Sequence, residues 1–347
     1  MSIHRVGVVG ILGVMVACAT TPTLTSLPAV PVSELSCLSD TDDVTWVRTA
    51  PPAHQPTLDA WCTSVGPPWR HTVASAIAPI DTVIVVSWNL NVGRGNLDDL
   101  FSYMQTELKD ELADARVAWV LLLQEVHRTG TAVPASPRFP GTTPRAIRPP
   151  AGAPDIVQLA QARGLSAVYV PSMRNGRDQD RGNAVLTTDT LIEPRAIELP
   201  FGSLRRVAVG ATIVVPSGRA REGIQVISTH FDTGRDRVPQ ANALAEAVSS
   251  SNATVVSGDF NSVEGQNDGT FKALAGRLSA ESCGDRRTHA WPWRLELFFG
   301  GWVGRLDHIF TNLADDDWSR ECSTIPHFFG SDHRPILLVL TRAGQPI

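Results

Sequence analysis

The sequence has little charge and very little lysine. Charged residues make up 19% of the chain, and the formal net charge is −5 at pH 7. Nearly all the cationic side chains are arginines, because Lys109 and Lys272 are the only lysines. A protein that binds nucleic acid mainly through a basic surface usually has a strong positive charge, so this class is not indicated. An enzyme that holds a nucleic acid through a local arginine cluster and a metal remains compatible with this composition.

Cysteine is also scarce, and no two cysteines have the C-x-x-C spacing of zinc sites or thioredoxin-like redox sites. Once Cys18 is assigned to the leader described below, four cysteines remain. An even number in an exported chain suggests disulfides, and four cysteines allow three pairings. We predict the pairs Cys37–Cys62 and Cys283–Cys322, because each closes a short loop.

The apolar run near the N-terminus is too short for a membrane-spanning helix and is typical of a secretory signal. It ends in Met15-Val16-Ala17-Cys18, which resembles a bacterial lipobox with methionine where leucine is usual. We therefore predict a lipoprotein-type signal peptide over residues 1–18, with a plain signal peptide as the alternative. A lipid on Cys18 would hold the protein on a membrane surface of the bacterial cell envelope, on the periplasmic side or the cell surface. Without the lipid, the protein would be periplasmic or secreted.

The composition and the hydrophobic pattern of the chain change near residue 81. Residues 19–80 are rich in Thr, Pro and Ser, and we predict a tether followed by a small disulfide-pinned extension. Beyond them, runs such as DTVIVVSWNLN and VAWVLLLQEV predict strands buried on both faces. Many predicted strands with few helices between them indicate two packed sheets with helices outside, in one domain over residues 81–342.

Polar residues follow many of the predicted strands. Each one alone has an ordinary explanation as a turn or structural residue, but ligands gather where strands of an α/β architecture end. Asp259 and Asn261 are two residues apart in VVSGDFN and would face the same side of an extended segment. The full set is Asn89, Asn91, Glu125, His230, Asp259, Asn261, Asp307, Asp332 and His333.

These residue types fit one chemistry. Carboxylate and carboxamide oxygens suit Mg²⁺ or Mn²⁺, and the set contains no thiolate. Histidines can act as acid, base or hydrogen-bond donor. No Ser or Cys lies in a recognisable nucleophile elbow, so covalent catalysis is not indicated. The set indicates metal-assisted attack of water on a phosphoester.

The sequence resembles the endonuclease/exonuclease/phosphatase superfamily, which includes deoxyribonuclease I-like and exonuclease III-like enzymes. The matching segments are SWNLN, LLLQEV, RGNAVLT, RRVAVGATI, STHFD, SGDFNS, RLDHIF and GSDHRPI, in the family's order. The resemblance implies a four-layer α/β/β/α sandwich, with two mostly antiparallel sheets packed together and helices outside. It also implies a hydrolase that depends on Mg²⁺ or Mn²⁺ and cleaves phosphoester bonds.

The resemblance implies a metal site and a catalytic group. Glu125 would be the principal metal ligand, with Asn89 beside it and Asp332 as a further contact that also orients His333. Asn91 stands where some relatives carry a second acidic ligand, which puts a second tight metal site in doubt. In the catalytic group, His333 and His230 would act on the scissile phosphate, and Asp307 would support these histidines. Asp259 would orient and deprotonate the attacking water. Asn261 would bind a phosphoryl oxygen.

A phosphate-facing arginine is expected at Arg206. Arg205 is adjacent in sequence and would point to the other face of the strand. Asn183 in RGNAVLT is expected to be structural.

The substrate is the least determined feature, because the same fold and chemistry serve several phosphoesters. A nuclease is the leading hypothesis, since two predicted rim loops carry arginines: Arg138, Arg145 and Arg148 in the first, and Arg174, Arg177 and Arg181 in the second. The alternatives are a phospholipid, inositol phosphate or sugar phosphate phosphoesterase, and a catalytically silent binding protein on the same scaffold. The aromatic stretch AWPWRLELFFGGWVG is compatible with a membrane contact, a base-stacking loop or a core segment. We expect a monomer.

Overall fold

The computed structural model describes residues 44–74, 80–109, 116–135, 146–217, 220–248, 252–262, 268–284, 286–290 and 304–343 of the chain. Two mixed seven-stranded sheets pack against each other within this part, and helices cover their outer faces. This arrangement confirms the predicted α/β/β/α sandwich. The α-helices of the described residues are α1 (Gln55–Cys62), α2 (Leu97–Glu107), α3 (Ile156–Ala162), α4 (Arg237–Ala247) and α5 (Gly269–Ala275).

The two sheets have the following strands. In spatial order, the first sheet contains β1 (Thr45–Arg48), β7 (Leu191–Glu198), β8 (Val207–Ser217), β9 (Ala220–His230), β10 (Thr254–Asp259), β12 (Asp307–Thr311) and β11 (Ser279–Ala280). The second contains β13 (Trp318–Thr324), β14 (Ile336–Arg342), β3 (Thr82–Asn89), β4 (Val117–Thr129), β6 (Gln179–Thr187), β5 (Ser166–Asn175) and β2 (Trp69–His71).

Most neighbouring strands are antiparallel, but each sheet has a parallel pair near its centre. The pair is β9 with β10 in the first sheet and β3 with β4 in the second. The carboxyl ends of a parallel pair lie at the same edge, so side chains that follow both strands meet there. The antiparallel neighbours β12 and β14 begin at these same edges, where Asp307 pairs with Asp259 and Ile336 pairs with Ser87.

The strand β3 shows why its sequence is an unbroken apolar run. Val83 and Val85 face the other sheet and belong to the core between the two sheets. Ile84 and Val86 point the opposite way and pack in a cluster with Leu100 of α2. Both faces of the strand are therefore covered, and removal of this apolar surface from water stabilises the fold. A third cluster packs the outer face of the first sheet against α4 and α5.

Residues 44–74 are built into the sandwich. In this segment, β1 adds a parallel strand beside β7, and β2 adds an antiparallel strand beside β5. Asp180 is fully buried and accepts hydrogen bonds from the Gly66 amide at 2.9 Å, the Tyr169 hydroxyl at 2.9 Å and the Arg128 guanidinium at 2.6 Å. A buried carboxylate needs such partners. The part of the predicted tether and extension that the structure describes is thus integrated into both sheets.

One predicted disulfide is confirmed. Cys283 and Cys322 are bonded and are 39 residues apart in the sequence. Cys322 lies in β13 of the second sheet, and Cys283 follows β11 of the first, so the bond ties the two sheets together. Cys62 is also disulfide-bonded, and its predicted partner Cys37 lies outside the described residues, as do the signal segment and the aromatic stretch at 291–303. No helix among the described residues is long and apolar enough to span a membrane.

Candidate active site

The first two site residues come from the parallel pair β3 and β4. Asn89 is the last residue of β3 and lies beside Gln124 in register. The register of β4 against β6 shifts between Leu123 and Val126, which places Glu125 in a β-bulge. The backbone of Glu125 has φ +50, an unfavourable left-handed conformation for a non-glycine residue. Such strain is typical of functional sites, and here the bulge aims a carboxylate out of the strand end.

The next two residues come from the parallel pair β9 and β10. His230 and Asp259 end these strands and are paired in register. Their side chains are buried, and His230 Nε2 lies 3.4 Å from Asp259 Oδ2. Gly258 makes this close approach possible, because a Cβ there would overlap the carbonyl oxygen of Thr229 on β9. The glycine of the GDFN motif therefore brings the two strand ends together.

The two sheets meet at Asp259. The Asn89 amide of the second sheet donates to Asp259 Oδ2 at 3.1 Å. His333 precedes β14 of the same sheet, and its Nε2 lies 3.6 Å from that oxygen. His333 Nδ1 lies 2.8 Å from Asp307 Oδ2 at the start of β12. The site is thus assembled from both sheets, and the contact that orients His333 comes from Asp307.

Burial and charge give these groups contrasting protonation states. Burial lowers the pKa of His333, but the carboxylates of Asp307 and Asp259 outweigh it and raise that pKa to about 10. Burial raises the pKa of Asp259 to about 6, against the opposing influence of His333. Burial, Arg206, His333 and Arg181 all hold the pKa of His230 well below its usual value. At neutral pH the site therefore contains one imidazolium, one neutral imidazole and an ionised carboxylate between them.

Asn261 follows Asp259 in a tight turn. Its backbone has φ +49, and its amide donates to Asp259 Oδ1 at 3.0 Å. Its side-chain Nδ2 donates to the Phe231 carbonyl at 2.9 Å, which fixes the carboxamide next to His230. A carboxamide carries two N–H donors, so one remains for another acceptor.

The adjacent arginines Arg205 and Arg206 have opposite orientations. Arg206 is buried in the wall of a small cavity that Glu125 and His230 also line. Arg205 points away from this cavity and forms a buried ion pair with Glu198 at 2.6 Å. Asn183 donates from its side chain to the Val207 carbonyl at 2.7 Å, a contact that ties two strands together.

Asp332 lies to one side of this group. Its side chain is 44% exposed, and its carboxylate lies 3.9 Å from His289 Nε2. Asp307 and Asp332 were both expected to act on His333. Asp307 makes the contact. Asp332 contributes only the weakest of the influences that raise the pKa of His333. Asp332 lines an open cleft together with Asn91 and Arg181.

The model of the endonuclease/exonuclease/phosphatase family matches residues 86–333 of the sequence. The chain belongs to this family. It is therefore a phosphoesterase of the endonuclease/exonuclease/phosphatase type, and this family typically uses divalent metals. No curated protein sequence matches the chain.

Solved structures of family members have the same fold. The endonuclease/exonuclease/phosphatase from Beutenbergia cavernae is 19% identical, with a TM-score of 0.52 over 77% of this chain and 73% of that chain. A family protein from Leptotrichia buccalis is 16% identical, with a TM-score of 0.51 over 74% of this chain and 98% of that chain. At these identities the similarity establishes the architecture and leaves the substrate open.

The divalent metals that this family typically uses fit the donors at the strand ends. The Glu125 carboxylate lies 3.6 Å from Arg181 and 3.8 Å from His230, too far for hydrogen bonds, so its oxygens keep free lone pairs. Oxygen donors of this kind suit a hard divalent cation. Asp259, Asp307 and His333 also bring possible ligand atoms within 4.8 Å of one another. A metal there would compete with the hydrogen bond between His333 and Asp307, whereas a metal at Glu125 would leave that bond intact.

Two residues near the site, His289 and Thr288, were not predicted from the sequence, and Arg181 was predicted only as a rim arginine. Arg181 contacts Glu125, and His289 packs its ring edge-on against His333 with centroids 4.6 Å apart. Thr288 accepts hydrogen bonds from the Asp307 amide at 3.1 Å and from the Leu306 amide at 3.0 Å through its hydroxyl. Thr288 and His289 lie in a connecting segment with no strand pattern, so periodicity gave no signal for them.

Proposed function

We propose that this protein is a divalent-metal-dependent phosphodiesterase that hydrolyses nucleic acid by direct attack of water. The observation that carries the proposal is the convergence of His230, Asp259, Asp307 and His333 with Asn89 and Glu125 at one edge of two sheets. It supports a hydrolytic mechanism because these groups have complementary protonation states at neutral pH.

Each residue has a role that follows from its geometry. Glu125 and Asn89 would hold Mg²⁺, or Mn²⁺, which when bound polarises a phosphoryl oxygen as a Lewis acid. Asp259 is buried, ionised at neutral pH and positioned by Asn89, so it orients the attacking water and accepts its proton. Asp307 holds His333 in one orientation and stabilises its charged form.

The remaining groups stabilise the phosphate. The His333 imidazolium directs Nε2 toward Asp259 and donates to a phosphoryl oxygen at that point, and the oxygen that leaves as the P–O bond breaks takes up a proton from His333 or from solvent water. Neutral His230 offers a second donor, and the free N–H of Asn261 offers a third. Arg206, in the wall of the small cavity, adds positive charge that favours an anionic substrate.

Nucleic acid is favoured over lipid or sugar phosphates because of positive charge beside the site. Arg148 and Arg181, two of the rim arginines noted in the sequence, line one cleft with Asp332. Arg174 is instead buried and donates to backbone carbonyls, including that of Ser64 at 3.1 Å. A polyanion gains more from such a cleft than a substrate with a single charge.

The test is a comparison of substrates with MgCl₂ present. The mature protein would be assayed in parallel on plasmid DNA, RNA, sphingomyelin and inositol phosphates. Nucleic acid as the substrate with the highest kcat/KM supports the proposal. A higher kcat/KM on sphingomyelin or an inositol phosphate would move the protein to the lipid or sugar phosphate class.

We further propose that the protein is exported and lipid-anchored through Cys18. The disulfide between Cys283 and Cys322 supports export, because such bonds persist in oxidising compartments. Labelling of the full-length chain with a radioactive fatty acid in a bacterial host tests the anchor. Label incorporated by the wild type and absent from Cys18→Ser is expected, and an unlabelled wild type would contradict the lipid anchor.

A further inference from the structure

The open cleft beside the catalytic centre has an unusual charge for this chain. Arg94, Arg148 and Arg181 line it together with Asn91 and Asp332, and its volume is about 760 Å³. Three guanidinium groups face one carboxylate there, although the whole chain has a formal net charge of −5. We call this group of five residues the arginine cleft.

Two of these arginines have no acidic partner in the described part of the chain. Among the residues that the structure describes, no carboxylate forms an ion pair with Arg94 or Arg148, and both side chains are exposed. Other arginines of the fold are satisfied by partners, as Arg128 is by Asp180 and Arg205 is by Glu198. Unpaired guanidinium groups that share a concave surface are suited to bind an anion, and to bind phosphate with paired hydrogen bonds.

The backbone before Arg94 forms an unusual turn. Asn91, Val92 and Gly93 all have positive φ, at +46, +55 and +74, and this left-handed turn leads directly to Arg94. Val92 is β-branched, so its left-handed conformation is costly, and such strain is typical of functional sites.

Arg148 is positioned by a different device. Buried Asn175 accepts from the Ile147 amide at 3.0 Å and donates to the Ile147 carbonyl at 2.8 Å. This pair of hydrogen bonds clamps the backbone next to Arg148. The backbone is therefore fixed next to both Arg148 and Arg94, which reduces the entropy lost when their side chains bind an anion.

Arg181 connects the arginine cleft to the catalytic centre. It lines the cleft and also the small cavity formed by Glu125, Arg206 and His230. Its side chain is only 10% exposed, and its NH1 lies 3.6 Å from Glu125. A substrate whose scissile phosphate lies at Glu125 would thus place its neighbouring group in the cleft.

We propose that the arginine cleft binds a second phosphate of the substrate, next to the phosphoester that is hydrolysed. This inference rests on the proposed function and extends it. The substrate class it selects carries phosphates in succession, as an oligonucleotide does, and disfavours substrates with one isolated phosphoester.

The first test is binding without turnover. A thymidine dinucleotide with phosphates on both its 5′ and 3′ ends would be compared with the same dinucleotide lacking them, by calorimetry in EDTA at low salt. We expect the terminal phosphates to lower Kd by about tenfold or more, as a charge-assisted hydrogen bond to phosphate does. Equal Kd values for the two ligands would overturn the inference.

The second test assigns the effect to the cleft. Arg148→Ala and Arg94→Ala are each expected to reduce the Kd ratio between the two dinucleotides, while Arg116→Ala, an exposed arginine outside the cleft, keeps the wild-type ratio. Wild-type ratios in both cleft variants would overturn the inference. The Kd of an inositol bisphosphate is measured in the same experiment and compared with that of the phosphorylated dinucleotide. This comparison distinguishes a second phosphate on a sugar from one on a nucleotide. If the cleft variants bind inositol bisphosphate more weakly and Arg116→Ala does not, the arginine cleft is also the site at which inositol bisphosphate binds.

These tests remain separate from the test of the proposed function. Hydrolysis of bis-p-nitrophenyl phosphate, which has a single phosphate, reports on the catalytic centre alone. If the wild type cleaves neither this substrate nor plasmid DNA, the proposed function fails, and the Kd ratio in EDTA still decides whether the arginine cleft binds phosphate.

Discussion

At the scale of single residues, the site depends on groups that change one another's charge. His333 is an imidazolium because the Asp307 and Asp259 carboxylates outweigh the effect of burial. Asp259 receives an amide hydrogen bond from Asn89 and another from Asn261. The same carboxylate is therefore held in place by both sheets and is close to a cation.

Replacing Asp307 by Asn should lower the pKa of His333 from about 10 toward its ordinary value, because the closest negative charge is removed. The imidazole resonances of the metal-free protein, followed by NMR titration, measure this shift. We also expect a lower kcat with a smaller change in KM, since Asp307 positions His333 without contacting substrate. An unchanged His333 titration would contradict the ion pair.

The raised pKa of His333 contributes more stability to the folded protein at low pH than at high pH. The folded-state value of about 10 lies above the ordinary value of 6.5, so the folded state binds the proton more tightly. This contribution to stability is complete below pH 6.5 and is lost as the pH rises through about 10. The difference in unfolding free energy between wild type and Asp307→Asn should shrink over that range, and urea unfolding at several pH values measures it.

At the scale of elements, strand ends and turns determine where the side chains lie. The polar residues at strand ends were predictable, because apolar runs in the sequence stop at them. The β-bulge at Glu125 was not predictable, since it depends on the pairing of β4 with β6, which lies more than 50 residues away in the chain. Likewise, the sequence suggested that Arg205 and Arg206 face opposite sides, but only the buried pair with Glu198 established their surroundings.

Gly258→Ala tests the close approach of β9 and β10. The added Cβ would overlap the Thr229 carbonyl, so the strand ends must separate and Asp259 must move away from His230. We expect a loss of about 2–3 kcal/mol in unfolding free energy, as for other overpacked core sites, and a loss of most activity. Gly276→Ala is the matched control, because that position is open and has an ordinary helical φ. Equal stability of the two variants would contradict the argument.

At the scale of the whole molecule, the sandwich joins chain segments that are far apart in sequence. Its layers could be predicted, because both faces of strands such as β3 had to be covered. The incorporation of residues 44–74 into both sheets could not, since the edge strands β1 and β2 are short and lack a clear pattern. His289 was missed, and the contact of Arg181 with Glu125 was not foreseen, for a related reason: their partners come from other elements of the fold.

The disulfide between Cys283 and Cys322 links the two sheets and should contribute to the stability of the whole domain. Replacing both cysteines by serine removes a cross-link that closes a 39-residue separation. The loop-closure argument gives a loss of about 4 kcal/mol, and measured losses for native disulfides are about 2–5 kcal/mol. Chemical unfolding of the double variant without reductant measures it. A change below about 1 kcal/mol would contradict a stabilising role.

The central claim is that Asp259 activates water in a metal-dependent phosphodiesterase. The most direct measurement is hydrolysis of bis-p-nitrophenyl phosphate by the mature protein, with MgCl₂ or with EDTA, by wild type, Asp259→Asn and the exposed control Asp316→Asn. We predict turnover by the wild type and Asp316→Asn only with MgCl₂, and at least a hundredfold lower kcat for a folded Asp259→Asn. Full activity in EDTA, or wild-type kcat in Asp259→Asn, would contradict the account.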